Sequence, residues 1–279
     1  MLGRINLTSS CKDCDSIPKI TDAGKIIIEN GEKIQYMFNG IKIYYDCYHS
    51  PWMNTIISKL KGHHEPQEEL CFYHILNILE NNANMLELGC AWAYYSMFFK
   101  NKCKDGINIC IEPNINKLNK GINNIKLNKL DLNKFVFMNG FIGKDYKAKD
   151  IFIDWDKTQM SIPQYNIEKI INNNNKIFID VLHSDIQGAE LDMLIGSTNV
   201  LNNIGFFVIS THDDKHSLCL QYLQAHNFLI LVQHTISESV SADGLIVAVN
   251  KNYINKYEKN IEVSLKDYFN KNCKISRIK

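Results

Sequence analysis

A chain of 279 residues with 45% hydrophobic and 22% charged residues can bury one large core, or one core plus a small appendage. Its net charge of +1, with acids and bases mixed along the chain, excludes the basic stripe typical of a nucleic-acid groove. No apolar run approaches the ~18 residues that a membrane-spanning helix needs, and the N-terminus lacks a secretory h-region. We therefore expect a cytoplasmic protein that binds neither nucleic acid nor a membrane.

The nine cysteines are odd in number and scattered along the chain. Cys11 and Cys14 have the spacing of half a zinc site or of a redox pair, but no second Cys/His pair lies near them. We interpret all nine as free thiols, as expected in a reducing cytoplasm.

The N-terminal residues show weak strand-like alternation, with Asn39-Gly40 between two such runs. Asn-Gly in this setting is a strong signal for a β-hairpin. We predict a β-rich cap over residues 1–62, followed by the main domain over residues 63–250. Residues 251–279 indicate a charged C-terminal helix or tail.

A helix is predicted to open the main domain. Pro66 suits a first helical turn, and apolar residues follow at helical spacing. Glu68 and Glu69 complement the positive end of the helix dipole. Glu65 and Gln67 either face a cleft or only cap the helix.

The segment from Asn84 to Phe99 contains a short apolar run that ends at Gly89 and continues at once with helical spacing. This pattern predicts a strand, a tight turn and a helix N-terminus, the usual place for a nucleotide-like cofactor in an open α/β sheet. Glu87 lies inside the strand, where a carboxylate is costly to bury unless it reaches solvent or a ligand. We therefore expect Glu87 to face a cleft.

The turn after this strand has two competing interpretations besides an ordinary turn without a ligand. A dinucleotide fingerprint needs the glycines of G-x-G-x-x-G, whereas Gly89 is followed by Cys90, Ala91 and Trp92. These bulkier residues disfavour a pyrophosphate and therefore NAD. The turn is similar to the first motif of class I methyltransferases, whose cofactor, S-adenosylmethionine, carries no phosphate.

A second strand ends at Glu112, about 25 residues after Glu87. An acid at this place can accept both ribose hydroxyls of an adenosine, and Pro113 stops the strand there. A third strand ends at Asn139, which we expect beside the adenine ring or, alternatively, as a turn former before Gly140.

Residues 143–176 lack a regular pattern and contain Asp154-Trp155-Asp156 and Tyr165. A loop of this length in a compact domain is usually a functional lid or a disordered insertion, and its aromatic residues favour a lid over the substrate. Strand and helix patterns then alternate from Ile177 to Val249 and end in an antiparallel pair. We predict an α/β, Rossmann-like class I methyltransferase fold with a seven-stranded, mostly parallel sheet and a terminal antiparallel hairpin.

Over roughly residues 65–250 the chain resembles the FkbM-type methyltransferase family. The resemblance rests on Leu86-Glu-Leu-Gly89, Ile111-Glu-Pro-Asn114 and, most specifically, Asp185-Ile-Gln-Gly-Ala-Glu-Leu191. The family's typical form of the last motif is Asp-x-Glu-Gly-Ala-Glu, so Gln187 removes one ionisable group. The resemblance implies S-adenosylmethionine as methyl donor and usually O-methylation of a hydroxyl on a sugar or natural product.

Methyl transfer to a hydroxyl requires positioning, exclusion of water and a group that takes the hydroxyl proton. Asp185 and His212 end adjacent predicted strands over the cleft. We expect His212 to be the base, Asp185 to be its partner or a substrate contact, and His183 to be the reserve candidate. A structural role is the alternative for each histidine. The predicted cofactor-binding residues are Glu87, Gly89, Ala91, Glu112, Pro113, Asn114, Asn139 and Asp185.

A metal-assisted alternative places Asp185, Asp213 and Asp214 together as an oxygen set for Mg²⁺. The last two also suit the N-cap of the following helix. A further alternative is a binding or scaffold protein that keeps the fold without catalysis, against which the retained acids Glu87 and Glu112 argue. The sequence leaves open the small-molecule acceptor, O- versus N-methylation and the oligomeric state, for which a homo-oligomer is one alternative.

Overall fold

The computed structural model describes residues 2–48, 51–154 and 157–278. Its strands, in chain order, are β1 (Ile26–Glu29), β2 (Glu32–Tyr36), β3 (Lys42–Tyr44), β4 (Met85–Leu88), β5 (Asn108–Glu112), β6 (Phe135–Asn139), β7 (Phe141–Ile142), β8 (Lys147–Ile153), β9 (Gln159–Tyr165), β10 (Ile179–Ser184), β11 (Ile204–Thr211), β12 (Phe228–His234) and β13 (Gly244–Asn250). Its α-helices are α1 (Leu2–Ser9), α2 (Pro51–Lys59), α3 (Pro66–Ile78), α4 (Tyr94–Lys102), α5 (Ile115–Leu127), α6 (Ile167–Asn173), α7 (Glu190–Ile195), α8 (Lys215–Ala225), α9 (Ile254–Glu258) and α10 (Leu265–Asn272). Short 3₁₀ turns span Leu132–Lys134, Thr198–Asn203 and Lys251–Tyr253.

Seven strands form the main sheet in the order β12-β13-β11-β10-β4-β5-β6. The five strands from β11 to β6 are parallel, and β13 is antiparallel to both β11 and β12. This arrangement confirms the predicted Rossmann-like sheet with a terminal antiparallel pair. Because the parallel strands all end at one edge, the residues that follow β4, β5, β10 and β11 are brought together there.

The apolar residues of the sheet alternate between two cores, one on each face. Met85, Val181 and Val208 belong to one core with residues of α3 and α4. Leu86, Leu182 and Phe207 belong to the other with residues of α6, α7 and α8. Burial on both faces explains why these strands appear in the sequence as continuous apolar runs rather than as alternating patterns.

The N-terminal segment contains a three-stranded antiparallel sheet, β1-β2-β3. Asn39-Gly40 lies between β2 and β3, which confirms the predicted hairpin. The same segment also contains α1 and α2, which the weak strand-like alternation did not indicate. The sheet is tied to α5 because the amides of Lys42 and Tyr44 donate to the side chains of Asn128 and Asn124, at 2.8 and 3.0 Å.

The segment 143–176 is not irregular, contrary to the expectation from sequence. Strand β8 pairs antiparallel with β9, β9 pairs parallel with β7, and α6 follows. Of the tripeptide singled out in the sequence, Asp154 is described and is buried, whereas Trp155 and Asp156 lie outside the described residues. The segment is therefore a folded hairpin at the edge of the main domain.

The residues after β13 form α9 and α10. Leu265 and Phe269 of α10 are fully buried and belong to the core that contains α3. The C-terminal segment is thus packed against the main domain and is not a free tail. Within the described ranges, the structure has no helix with both the length and the apolar character needed to cross a bilayer.

Candidate active site

The carboxyl ends of β4, β5 and β10 open onto one cavity of about 1500 Å³. This volume exceeds the roughly 300–1,000 Å³ of a pocket for one drug-sized ligand. Eight of the predicted site residues line it, namely Glu87, Gly89, Ala91, Glu112, Pro113, Asn114, His183 and Asp185. Asn139 and His212 are not part of its lining.

The turn after β4 is packed directly against the end of β10. Gly89 has φ +75°, and a Cβ added to it would lie 2.0 Å from the carbonyl oxygen of Asp185. Only glycine fits there, because any side chain would collide with that backbone. Ala91 and Ala93 also adopt left-handed backbone angles, with φ of 42° and 59°. Such strained conformations of residues other than glycine are frequent at ligand-binding sites, and of these two residues Ala91 lines the cavity.

Glu112 ends β5 and is buried at the cavity wall. Its carboxylate accepts hydrogen bonds from the backbone amides of Ala91 at 3.1 Å and Asn114 at 2.9 Å. Burial raises the pKa of Glu112, although these amides oppose the shift. The turn after β4 and the turn after β5 are therefore joined through one carboxylate, whose remaining acceptor capacity is available to a ligand.

Asn114 and Asn139 hold the turn after β5 in place. The Asn114 side chain caps α5 by accepting from the amide of Asn116 at 3.0 Å. The Asn139 side chain donates to the carbonyl oxygens of Glu112 and Pro113, at 3.0 and 2.8 Å. The structure therefore gives the Asn139 amide two backbone partners in place of a direct position in the cavity lining.

Glu87 lies in β4 and is almost completely buried at the cavity wall. It accepts a hydrogen bond from the hydroxyl of Ser96. Burial raises the pKa of Glu87 to about 7, although nearby His183 and the Ser96 hydrogen bond oppose that shift. A cation placed in the cavity would stabilise the ionised form of this carboxyl group.

Asp185 follows β10 and lines the cavity. Burial raises its pKa to about 7, and the charges of Asp243 and Glu65 add to the shift. The Gln187 side chain donates a hydrogen bond to Asp185 Oδ1 at 2.8 Å. Gln187 thus occupies the motif position of the usual glutamate without adding a further negative charge beside Asp185.

His212 is enclosed by carboxylates. Its Nδ1 lies 2.7 Å from Glu190 Oε1, and its Nε2 lies 3.1 Å from Asp243 Oδ1 and 3.5 Å from Asp185 Oδ1. Burial lowers the pKa of His212, but the hydrogen bonds to Asp243 and Glu190 and the charge of Asp185 outweigh it and raise the pKa to about 11. The raised pKa favours the imidazolium form of His212, which cannot accept a proton.

The charged state of His212 predicts a specific dependence of stability on pH. Its pKa is raised above the unfolded value of about 6.5, so its stabilising contribution is complete below pH 6.5 and is lost as the pH rises toward 11. We expect the free energy of unfolding to fall between pH 6.5 and 9.5 by roughly 3.5 kcal/mol more in the wild type than in His212→Gln. Urea denaturation at the two pH values measures this difference, and parallel losses in both proteins would contradict it.

The start of α3 contributes site residues whose roles the sequence did not indicate. His63 Nδ1 and His64 Nδ1 lie 2.6 and 2.7 Å from the carboxylate oxygens of Glu69, and the Tyr94 hydroxyl donates to it at 3.0 Å. Burial raises the pKa of Glu69, but the two histidines outweigh it and hold the pKa well below its usual range. Glu69 therefore fastens α3 to α4 beneath the cavity.

The sequence did contain a signal for the role of Glu69 in joining α3 to α4, namely the position of this residue on the helix. Glu69 and Phe72 lie at helical spacing on the buried face of α3. A carboxylate on such an apolar face needs a buried partner. Gln67 does not face the cleft as considered from sequence. Its side-chain oxygen accepts from the amide of Val240 at 3.1 Å and the hydroxyl of Ser239 at 3.3 Å.

The three aspartates of the metal-assisted alternative do not converge. Asp213 lines the cavity, but Asp214 is 82% exposed and pairs with Lys215 at 2.8 Å. Among the described residues, no group of three or more His, Cys, Asp or Glu side chains is arranged to hold a metal ion. Cys11 and Cys14 are buried free thiols.

Two comparisons with known proteins gave matches, one to a family model and one to solved structures. The family model described as "Methyltransferase FkbM domain" matches residues 71–230, whereas no curated protein matches the chain significantly. Structures of similar fold include M. capricolum TrmK in complex with S-adenosyl-homocysteine (17% identity, 65% of this chain and 68% of that chain, TM-score 0.45). Others are Streptococcus pneumoniae Sp1610 in complex with S-adenosyl-L-methionine (13%, 64% and 72%, 0.44) and an rRNA methylase from Streptococcus thermophilus (10%, 65% and 94%, 0.45). Because the family model covers more than half of the chain, including β4, β5, β10 and the turns that form the cavity, the chain belongs to the FkbM methyltransferase domain family.

Proposed function

We propose that this protein transfers a methyl group from S-adenosylmethionine to a hydroxyl group of a small molecule, such as a sugar or natural product. The observation that carries the proposal is the convergence of Glu87, Glu112 and Asp185 from three parallel strands on one cavity. Membership of the FkbM methyltransferase family supports the reaction class.

The residues of the cavity fit this cofactor. Glu112 can accept the two ribose hydroxyls, because only one hydrogen bond from each neighbouring amide occupies its oxygens. The buried carboxyl group of Glu87 suits the positive charges of the methionine portion. The turn from Gly89 to Ala91 lacks the additional glycines that a pyrophosphate would need. When bound, S-adenosylmethionine supplies a methyl group on a positively charged sulfur.

Asp185 is the residue that we assign as proton acceptor. A hydroxyl has a high pKa and must lose its proton around the time at which its oxygen forms the new bond to carbon. The pKa of Asp185, raised to about 7 by burial and neighbouring acids, lies near neutral pH, where a general base is most effective. Gln187 orients its carboxylate, and His212 supplies a fixed positive charge beside it.

The hairpin within residues 143–176 is proposed as the lid over the acceptor. Lys144, Phe152 and Gln164 line the same cavity as Glu112 and Asp185. Because these residues line that cavity, the segment can exclude water from the reacting groups. The aromatic side chain of Phe152 offers an apolar surface to an acceptor ring.

We infer that the reaction takes place in the cytoplasm on a small-molecule acceptor. All nine cysteines are free and buried in the structure, which is compatible with a reducing compartment. The near-neutral net charge supports a small acceptor over a long polyanion. The cavity volume of about 1500 Å³ supports simultaneous binding of cofactor and acceptor.

Titration calorimetry with S-adenosylmethionine, S-adenosylhomocysteine and NAD tests the proposal directly. We expect dissociation constants on the order of micromolar for the first two, and no heat from NAD because a pyrophosphate lacks its glycine cradle. Binding of NAD alone would contradict the methyltransferase assignment, and binding of none would favour a scaffold role. Release of S-adenosylhomocysteine in the presence of candidate sugars and natural-product hydroxyls then identifies the acceptor.

A further inference from the structure

His183 is a buried histidine in the cavity wall that the proposed reaction does not yet use. It lies in β10, is 3% exposed and lines the cavity. Its ring stacks on Tyr95 with a centroid distance of 4.0 Å, and its edge meets Phe72 at 5.9 Å. These contacts fix the plane of the imidazole.

A glutamate from a distant part of the chain fixes one nitrogen of this ring. Glu68, near the start of α3, contacts His183 Nε2 through Oε1 and accepts a hydrogen bond from the Ser210 hydroxyl through Oε2. The other ring nitrogen, Nδ1, is buried and has no hydrogen-bond partner among the described residues. A buried polar atom without a partner is costly, which makes Nδ1 a candidate for a contact with a ligand.

Several charged and polar groups face the ring from the elements packed around it. They are Glu65 and Glu68 at the start of α3, Glu87 on β4, Tyr95 on α4 and Ser210 on β11. Burial lowers the pKa of His183, but the charges of Glu68, Glu87 and Glu65 outweigh it and raise the pKa. A raised pKa favours the imidazolium form, in which Nδ1 also carries a hydrogen that can be donated.

His183 lies in β10, Asp185 follows the end of that strand, and both line the cavity. The amide of Asp185 donates to the carbonyl oxygen of Leu88 at 3.0 Å, so the ladder between β10 and β4 continues through Asp185. Residues two apart on a strand point to the same face and are about 6.6 Å apart. An oxygen atom between the two side chains can therefore give its proton to Asp185 and accept a hydrogen bond from His183.

We propose that Glu68 is a positioning residue that holds the Nδ1 of His183 toward the methyl-transfer centre, where His183 binds the oxygen of the acceptor hydroxyl. This inference rests on the proposed methyltransferase function. One lone pair of the acceptor oxygen attacks the methyl carbon, whose bond to sulfur breaks with its electrons going to sulfur. The hydroxyl proton goes to Asp185, and the second lone pair accepts the Nδ1–H of His183.

The test compares two ligands that differ by one methyl group and one positive charge at the transfer centre. Protein with ¹⁵N-labelled histidine is titrated with pH by NMR in saturating S-adenosylhomocysteine and in saturating S-adenosylmethionine, without an acceptor. A positive charge close to His183 disfavours its imidazolium, so we expect its pKa to be lower by about one unit or more in the S-adenosylmethionine complex. His234, buried on β12, serves as the internal control, and its titration should be the same in both complexes.

Variants that remove one or the other contact of Glu68 distinguish a positioning role of this residue from a general structural role. In Glu68→Gln, we expect the difference between the complexes to fall below half of the wild-type value while the affinity for S-adenosylhomocysteine changes by less than about threefold. Ser210→Ala keeps the contact between Glu68 and His183 and should retain the full difference. If Glu68→Gln does not fold, Glu68→Asp gives the same comparison, because its shorter side chain withdraws the carboxylate from the ring.

Three results would overturn the inference in distinguishable ways. Identical titration of His183 in the two complexes would show that Nδ1 does not face the transfer centre. An unchanged difference in Glu68→Gln, or in Glu68→Asp, would remove the positioning role of Glu68. Failure of both ligands to bind would overturn the proposed function together with this inference, whereas the first two results leave the proposed function intact.

Discussion

Replacing Glu112 by alanine is expected to weaken the binding of S-adenosylhomocysteine by at least about 100-fold, equivalent to roughly 2.7 kcal/mol. The substitution removes the carboxylate that we assign to the ribose hydroxyls. It also leaves the backbone amides of Ala91 and Asn114 without their acceptor, which loosens both turns of the cofactor site. Titration calorimetry at constant pH and salt measures the loss.

Two further variants serve as controls for the Glu112→Ala result. Glu262→Ala removes an exposed acid outside the cavity and should bind S-adenosylhomocysteine as the wild type does. Glu112→Gln keeps the shape of the side chain but turns one acceptor into a donor, so we expect intermediate affinity. Wild-type affinity in Glu112→Ala, with the protein folded by circular dichroism, would remove Glu112 from the cofactor site.

Replacing Asp185 by asparagine is expected to lower kcat by about 10²–10⁴, the usual contribution of a general base. The affinity for S-adenosylhomocysteine should change by less than about threefold, because Asp185 contributes to proton removal more than to cofactor binding. The pKa of Asp185 is raised to about 7, and only its ionised form accepts a proton. The wild-type rate should therefore rise with pH through about 7, and the rate of the variant should not show this rise.

The measurement is release of S-adenosylhomocysteine between pH 5.5 and 9, with the acceptor that the wild type methylates. Asp22→Asn, which alters an exposed ion pair with Lys25, provides a matched control for the same change of side chain and should keep the wild-type profile. A variant at Asp185 with undiminished kcat would exclude this residue as the base. Loss of cofactor affinity with unchanged kcat would instead assign Asp185 to cofactor binding.

Features with local causes could be predicted from the sequence. The strand that ends at Gly89, the second strand that ends at Glu112 and the hairpin at Asn39-Gly40 all depend on apolar runs and turn residues within a few positions. The order of βα units fixed the type of sheet, because parallel strands need crossover connections and connections have a preferred hand. For the same reason, Glu87, Glu112 and Asp185 could be assigned to one sheet edge before the structure was known.

The hairpin β8–β9 escaped sequence-based recognition for a physical reason. Strand β8 is largely exposed, with Ile151 and Ile153 more than half accessible, so its residues do not show the pattern of a buried strand. Its structure depends on pairing with β9, and backbone hydrogen bonds between strands leave little trace in the sequence. The segment therefore looked irregular, although its place beside the cavity agrees with the proposed role as a lid.

By itself, the sequence determined the fold class, the turn after β4 and the acids at the strand ends, because short-range periodicity and turn chemistry specify each of them. Only the tertiary structure decided the surroundings of the two histidines. The pKa of His212 is raised because Glu190 and Asp243 meet around it, and His183 contacts Glu68, which is 115 residues away in the chain. Protonation depends on burial and on all charges within a few ångströms, and those neighbours are defined only when distant segments pack together.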